Sequence, residues 1–346
     1  MHNLIKVNYQ SIVQWLVESR DPWVRYKAMQ DLMGISESEL VSVKKEILNE
    51  PRIQSLIQKI EEVDWRNPPW SYLRDAKMPV HVLSVLTEFG ISVMDLPVLR
   101  RVFDDILSVV TEQGEVRYAP YIKYPLTCLS STLLFPVTKG GLREDERVRK
   151  AVDIYLNSGH FSLGWKCLTQ EFTGEIFFRE AVSSDYHLKR KESFLKSMAR
   201  KNMMCPLTTL NILKVLSEYP EYHSHTHIAA AVDGILRLWK TRERPYGFGI
   251  GTSFGKLKYP FIWYDVLKMA YILSHFEFVW DDSRFINILN FIWQKKDEHG
   301  RFYAESVYTA WKEFDFGIKD KPSPWITYIV YHILSKNPNT NYRTSL

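Results

Sequence analysis

Cysteine is scarce in this chain, three residues among 346. An odd, small number fits reduced thiols in a cytoplasm better than a disulfide framework. Long apolar runs are also missing: no stretch reaches the ~18 apolar residues that a membrane span needs. The opening MHNLIKVNYQ has no apolar core of signal-peptide length. An excess of one charge is lacking too. The net +5 is mild and spread along the chain, which argues against a nucleic-acid-binding surface. Strand-type alternation is nearly absent, as are a P-loop and a dinucleotide fingerprint.

What is present is a recurring pair of helical segments. The first opens on acidic or polar residues with Arg or Lys near its start: Asp21–Leu32, Asp95–Leu107, Asp145–Leu156, His225–Leu238 and Asp281–Trp293. The second is more apolar: Met78–Gly90, Leu126–Val137, Cys205–Pro220, Ile262–Phe276 and Pro324–Lys336. Within Met78–Gly90 the apolar positions Val82, Val85, Leu86 and Phe89 recur at the spacing of one helical face. Such alternation predicts stacked helical hairpins, each needing its neighbours to cover its apolar face.

Punctuation supports this division. Asp21-Pro22 places a capping residue before a first-position proline. Asn49-Glu50-Pro51 separates two segments, and Gly90, Gly140-Gly141, Pro220 and Gly300 mark helix ends or turns. Equivalent positions Leu86, Leu134, Leu216, Leu273 and Ile333 are 48, 82, 57 and 60 residues apart. The long gap flags an irregular insertion at about 168–204, which contains the densest basic run, Lys189–Lys201, with six Lys or Arg. A solvated helix or loop accounts for that run, and a surface for anionic lipid, hence peripheral membrane contact, is the alternative. Arg244–Pro260, with four glycines among aromatics, is the other irregular stretch. One domain over 1–336 and a disordered tail over 337–346 are expected.

The segments Asp21–Gly34, Trp165-Lys166-Cys167, Phe261–Leu267, Asp281-Asp282-Ser283-Arg284 and Pro322–Ile326 together resemble the prenyltransferase and squalene-cyclase repeat proteins. Within them the pattern is most similar to small bacterial squalene cyclase-like members. The resemblance implies an all-α fold, an α/α toroid with inner and outer helices around a central cavity. It also implies an isoprenoid or other small apolar molecule as the ligand. The Asp-x-Asp-Asp acid motif of class II terpene cyclases and their Gln-Trp repeats are absent. No residues map onto the Asp, Cys and His zinc ligands of the protein prenyltransferases.

Four constellations are candidates for chemistry. Cys128, Cys167 and Cys205 would gather near one end of such a ring, where thiolates suit Zn²⁺. Their spacings of 39 and 38 residues are not a metal signature, so small core side chains or a reactive thiol stand beside zinc. Asp265, in Trp263-Tyr264-Asp265, opens an apolar helix. It is either a helix cap or a general acid or base with Tyr264, walled by Trp70, Trp263 and Trp325. Asp75 and Lys77, beside Arg74 and with Lys123 and Thr127, form a surface ion pair or hold an anion such as diphosphate. His223, His225 and His227 alternate, which on a helix does not present one face, so capping outweighs metal binding. The function expected is terpenoid cyclase-like or prenyltransferase-like, with Cys128 as a further catalytic candidate. The alternatives are a HEAT-like scaffold module without catalysis and, third, a carbohydrate-active toroid.

Overall fold

A computed structural model of the protein describes residues 9–66, 75–111, 114, 116, 127–157, 164–166, 204–242 and 253–339. These residues are mostly helical. They contain no strand, only isolated bridges at Val110–Val116 and Tyr303–Pro322. In chain order the helices are α1 (Tyr9–Val17), α2 (Pro22–Lys27), α3 (Val41–Asn49), α4 (Pro51–Glu61), α5 (Pro79–Glu88), α6 (Pro97–Leu107) and α7 (Thr127–Val137). They continue with α8 (Glu146–Asn157), α9 (Pro206–Leu216), α10 (Thr226–Thr241), α11 (Val266–Leu273), α12 (Ser283–Trp293) and α13 (Pro324–Ser335). All ten repeated segments fall on these helices. No helix among the described residues is long and apolar enough to cross a membrane.

Proline sets many of the helix starts. It occupies the opening of α2, α4, α5, α9 and α13, where its missing N–H costs nothing and its fixed φ already suits a helix. Asp21 stands at the expected N-cap position of α2, but its side chain makes no capping bond. Its carboxylate instead accepts from Arg52 at 2.8 Å. A guanidinium offers a charge-assisted bond, which outcompetes a neutral backbone N–H. Two helices widen at their ends into π turns, α2 over Ala28–Leu32 and α7, which contains Pro136, over Thr138–Leu142. After α5, Gly90 takes φ 94°, and a Cβ there would meet Tyr26 Cε1 at 2.5 Å, so both conformation and space require glycine.

The chain forms two compact units. The first comprises Met1–Val63, Ser71–Leu96 and Thr252–Leu346, so α1–α5 fold with α11–α13. Its core is aromatic. Trp23 stacks on Phe89 with centroids 4.9 Å apart, and Phe89 meets the edge of Trp325 at 4.7 Å. Phe314, Phe316 and Tyr259 extend the cluster. Each such side chain contributes on the order of 2–3 kcal/mol on leaving water.

The second unit comprises Asp64–Trp70 and Pro97–Gly251 and holds α6–α10. Helices α7 and α9 pack along their lengths: Asn211 donates to Thr132 Oγ1 at 2.9 Å, and the Lys214 ammonium lies 3.7 Å from the Phe135 ring centre. Trp165 ties α8 to the start of α9. Its indole donates to the Tyr155 carbonyl at 2.9 Å, and its own carbonyl accepts from the Cys205 N–H at 2.9 Å. Apolar Val148, Ala151, Val152, Tyr155 and Leu156 form the buried stripe of α8, at the spacing of a single helical face.

Candidate functional site

One concentration of chemically capable groups in the first unit lies at the N-terminus of α11. Residues 253–265 lead into this helix and are held by backbone and side-chain bonds. The Leu257 N–H donates to Glu305 Oε2 at 2.8 Å, the Glu305 N–H returns to the Leu257 carbonyl at 3.0 Å, and Lys295 fixes Glu305 Oε1 at 2.8 Å. The Val266 N–H donates to the Phe254 carbonyl at 2.9 Å. This places Lys258 against Tyr308, its ammonium 3.7 Å from the ring centre.

Asp265 caps α11, its carboxylate accepting from the Lys268 N–H at 2.9 Å. The expected capping role is therefore real, but the carboxyl is also buried, 5% exposed. Burial raises its pKa from 3.8 to about 7, more than the cap and the charges of Lys268 and Lys258 lower it. Burial lowers the Lys258 pKa and raises that of Tyr308. The Tyr308 hydroxyl is buried beside the Trp263 backbone and makes no hydrogen bond of good geometry among the described residues. Lys268 is itself buried and donates to the Phe261 carbonyl at 3.2 Å. The arrangement joins an acid that exchanges its proton near neutrality, a desolvated amine and a phenol.

The other expected residues are placed differently. Tyr264 is buried and meets Phe254 edge-on at 5.8 Å, while Trp263 is half-exposed. Trp325 is 2% exposed and sits in the aromatic core between Phe89, Tyr259 and Tyr328. Trp70 lies outside the described residues. Asp75 and Lys77 do not pair through their side chains. The Asp75 carboxylate accepts the Lys77 N–H at 2.8 Å, and the Lys77 ammonium lies 3.7 Å from Glu313 and over the Trp311 ring. Arg74 and Lys123 lie outside the described residues.

Cys205, at the N-cap position of α9, is buried, and Cys128, in the first turn of α7, is half-buried; neither forms a disulfide among the described residues. Cys167 and most of the 168–204 insertion lie outside the described residues. Among those described, no group of three or more His, Cys, Asp or Glu side chains is arranged to hold a metal ion. His225 caps α10, its Nδ1 accepting the His227 N–H at 3.2 Å. Asp282 caps α12 through the Arg284 N–H and pairs with the Arg284 side chain, which holds its carboxyl below the usual range.

Sequence reasoning did not single out Lys258 or Tyr308. The first sits in the glycine-rich loop already marked as irregular, and no spacing links it to the second. A second polar group in this unit was also missed. Tyr259 donates to Glu88 at 2.8 Å, Tyr328 donates to Asp31, and Asp31 pairs with Lys27 at 2.9 Å with His332 3.5 Å away. Burial alone would raise the Asp31 carboxyl, but Lys27, His332 and Tyr328 together hold it well below the ordinary carboxylate range. The readable signal was Glu88, an acid at the end of the otherwise apolar α5.

Compared with protein-family models, curated proteins and solved structures, the chain matches none of them. What the described structure defines is the class, a mostly helical protein of two compact units.

Proposed function

We propose that this protein is an enzyme of the terpenoid cyclase-like or prenyltransferase-like kind, an α/α toroid whose hairpins enclose an apolar substrate of isoprenoid type. The observation that carries this reading is Asp265, a buried carboxyl at the head of α11 that is poised near pH 7 beside Trp263, Lys258 and Tyr308. A buried carboxylic acid that stays partly protonated at neutral pH is suited to give a proton to an alkene or a leaving group. Aromatic faces then favour the cation that forms. Asp265 is assigned the general acid, Trp263 a wall of the substrate site, and Tyr264 a support for Asp265 through its packing on Phe254.

The test is turnover of squalene and farnesol by the wild type and by Asp265→Asn, which retains a capping oxygen. Loss of a general acid predicts a fall of roughly 10²–10⁴-fold in turnover with the fold intact by circular dichroism. Absence of turnover and binding for both compounds in the wild type, or full activity in Asp265→Asn, overturns the assignment.

One observation favours a second reading, a HEAT-like binding module without catalysis. Trp325, expected as a cavity wall, is instead used in core packing. That reading predicts that no isoprenoid changes the tryptophan fluorescence of the protein at any concentration below its own solubility.

A further inference from the structure

Several half-buried lysines among the described residues are paired. Lys27 meets Asp31 at 2.9 Å, Lys139 meets Glu218 at 3.0 Å, and Lys295 meets Glu305 at 2.8 Å. Lys44 is held by Glu37 and by Asp95. Lys258 is not paired: among the described residues its amine has no ion pair and no hydrogen bond, and it lies 3.7 Å from the centre of the Tyr308 ring. Leaving an ammonium without a charged partner in a half-buried place is costly, and that burial lowers the pKa of the Lys258 amine. The phenol it faces is equally unusual, since the Tyr308 hydroxyl is buried without a well-formed hydrogen bond. Both groups feel the charge of Asp265. The Leu257–Glu305 bonds on one side and the α11 cap on the other fix this arrangement in place.

We propose that Lys258 is a nucleophilic amine that forms an imine with an aldehyde or ketone carried on an apolar body. The inference rests on the reading of this end of α11 as an acid–base site. It names the carbonyl as the group the site takes. The neutral Nζ adds to the carbonyl carbon, forming the C–N bond as the C=O π bond opens, and a proton passes from nitrogen to oxygen. Asp265, in its protonated form, gives its proton to the resulting hydroxyl. Water leaves, the C=N bond forms, and the Asp265 carboxylate remains to balance the iminium charge. The step consumes one carbonyl compound, releases one water, and needs neither oxidant nor reductant. Unpaired and desolvated lysines are the ones able to do this at neutral pH, since a hydrated or salt-bridged ammonium holds its proton.

The experiment uses the full-length protein with cinnamaldehyde as the probe and sodium cyanoborohydride to reduce any imine to a stable secondary amine. Peptide mass spectrometry then gives the rate of labelling at each lysine. At pH 7, Lys258 is expected to label at least ~10-fold faster than exposed Lys312, reflecting its larger neutral fraction. Lys258→Arg keeps a cation for the Tyr308 ring but cannot form the imine, and should abolish the fast site while other lysines label unchanged. Labelling of Lys258 no faster than Lys312 in the wild type overturns the proposal. So does persistence of a fast phase in Lys258→Arg. The outcome separates from that of the preceding section. Fast labelling of Lys258 together with full activity of Asp265→Asn on squalene or farnesol would keep the amine and discard Asp265 as the general acid. Slow labelling with an inactive Asp265→Asn would do the reverse.

Discussion

At the scale of single residues, the same side-chain type serves different ends according to what surrounds it. Three aspartates illustrate this. Asp265 is buried and pushed up to about 7, Asp31 is held low once Lys27, His332 and Tyr328 overcome its burial, and Asp282 is held low by Arg284 at a helix start. Sequence alone marked Asp265 because it opens an apolar helix, and the structure adds the burial that makes it chemically unusual. Tryptophan shows the opposite case. Aromatic excess is plain in the composition, but an indole that walls a cavity and one that fills a core have the same neighbours in sequence. Trp325 lies against Phe89, Tyr259 and Tyr328, fully packed. Trp325→Ala is therefore expected to cost about 3–5 kcal/mol, as for other large-to-small changes of buried aromatics. The check is the midpoint of urea unfolding; a shift within error of zero would contradict a packing role.

At the scale of elements, helix starts carry much of the local order. Ser323 both caps α13, accepting from the Ile326 N–H at 3.1 Å, and donates to the buried Asp315 carboxylate. Ser323→Ala removes two bonds at once and leaves the Trp325 N–H, at 2.8 Å, as the donor to the buried Asp315 Oδ2. A loss of roughly 2–4 kcal/mol is expected in thermal or urea unfolding, above the ~1 kcal/mol of a simple cap. Asp21 makes a useful contrast, because it stands where a cap would but pairs with Arg52 across to α4. In a double-mutant cycle, Asp21→Asn and Arg52→Gln should therefore couple, by at least ~0.5 kcal/mol. Strict additivity would show that the pair contributes nothing. Helix positions were legible because the 3.6-residue period and first-position prolines are local signals. The choice between a cap and a distant guanidinium was not, since it depends on a residue 31 positions away.

At the scale of the whole molecule, buried acids govern how stability responds to pH. Asp265 rises to about 7 and Asp315 to about 6, in both cases chiefly because burial disfavours the carboxylate. Each binds its proton more tightly folded than unfolded. The stability they contribute is complete below the unfolded carboxylate range and is lost as pH rises through the folded values. Asp31 has the opposite sign: its contribution is present above the ordinary carboxylate range and is lost as pH falls through and below it. Between pH 4 and 7 the wild type should thus lose stability relative to Asp265→Asn/Asp315→Asn. The size is several kcal/mol at most, at ~1.4 kcal/mol per tenfold in proton affinity. Urea unfolding across that range checks it, and parallel pH profiles for the two proteins would refute it. The sequence by itself determined the all-helical class, the places of the ten repeated helices and the prominence of Asp265, because periodicity, prolines and an acid opening an apolar helix are local features. Only the tertiary structure decided that α1–α5 fold with α11–α13, that Trp325 belongs to a core, and that Lys258 and Tyr308 meet beside Asp265. Those outcomes depend on contacts between residues far apart in the chain and on how much water each group loses, which no local pattern encodes.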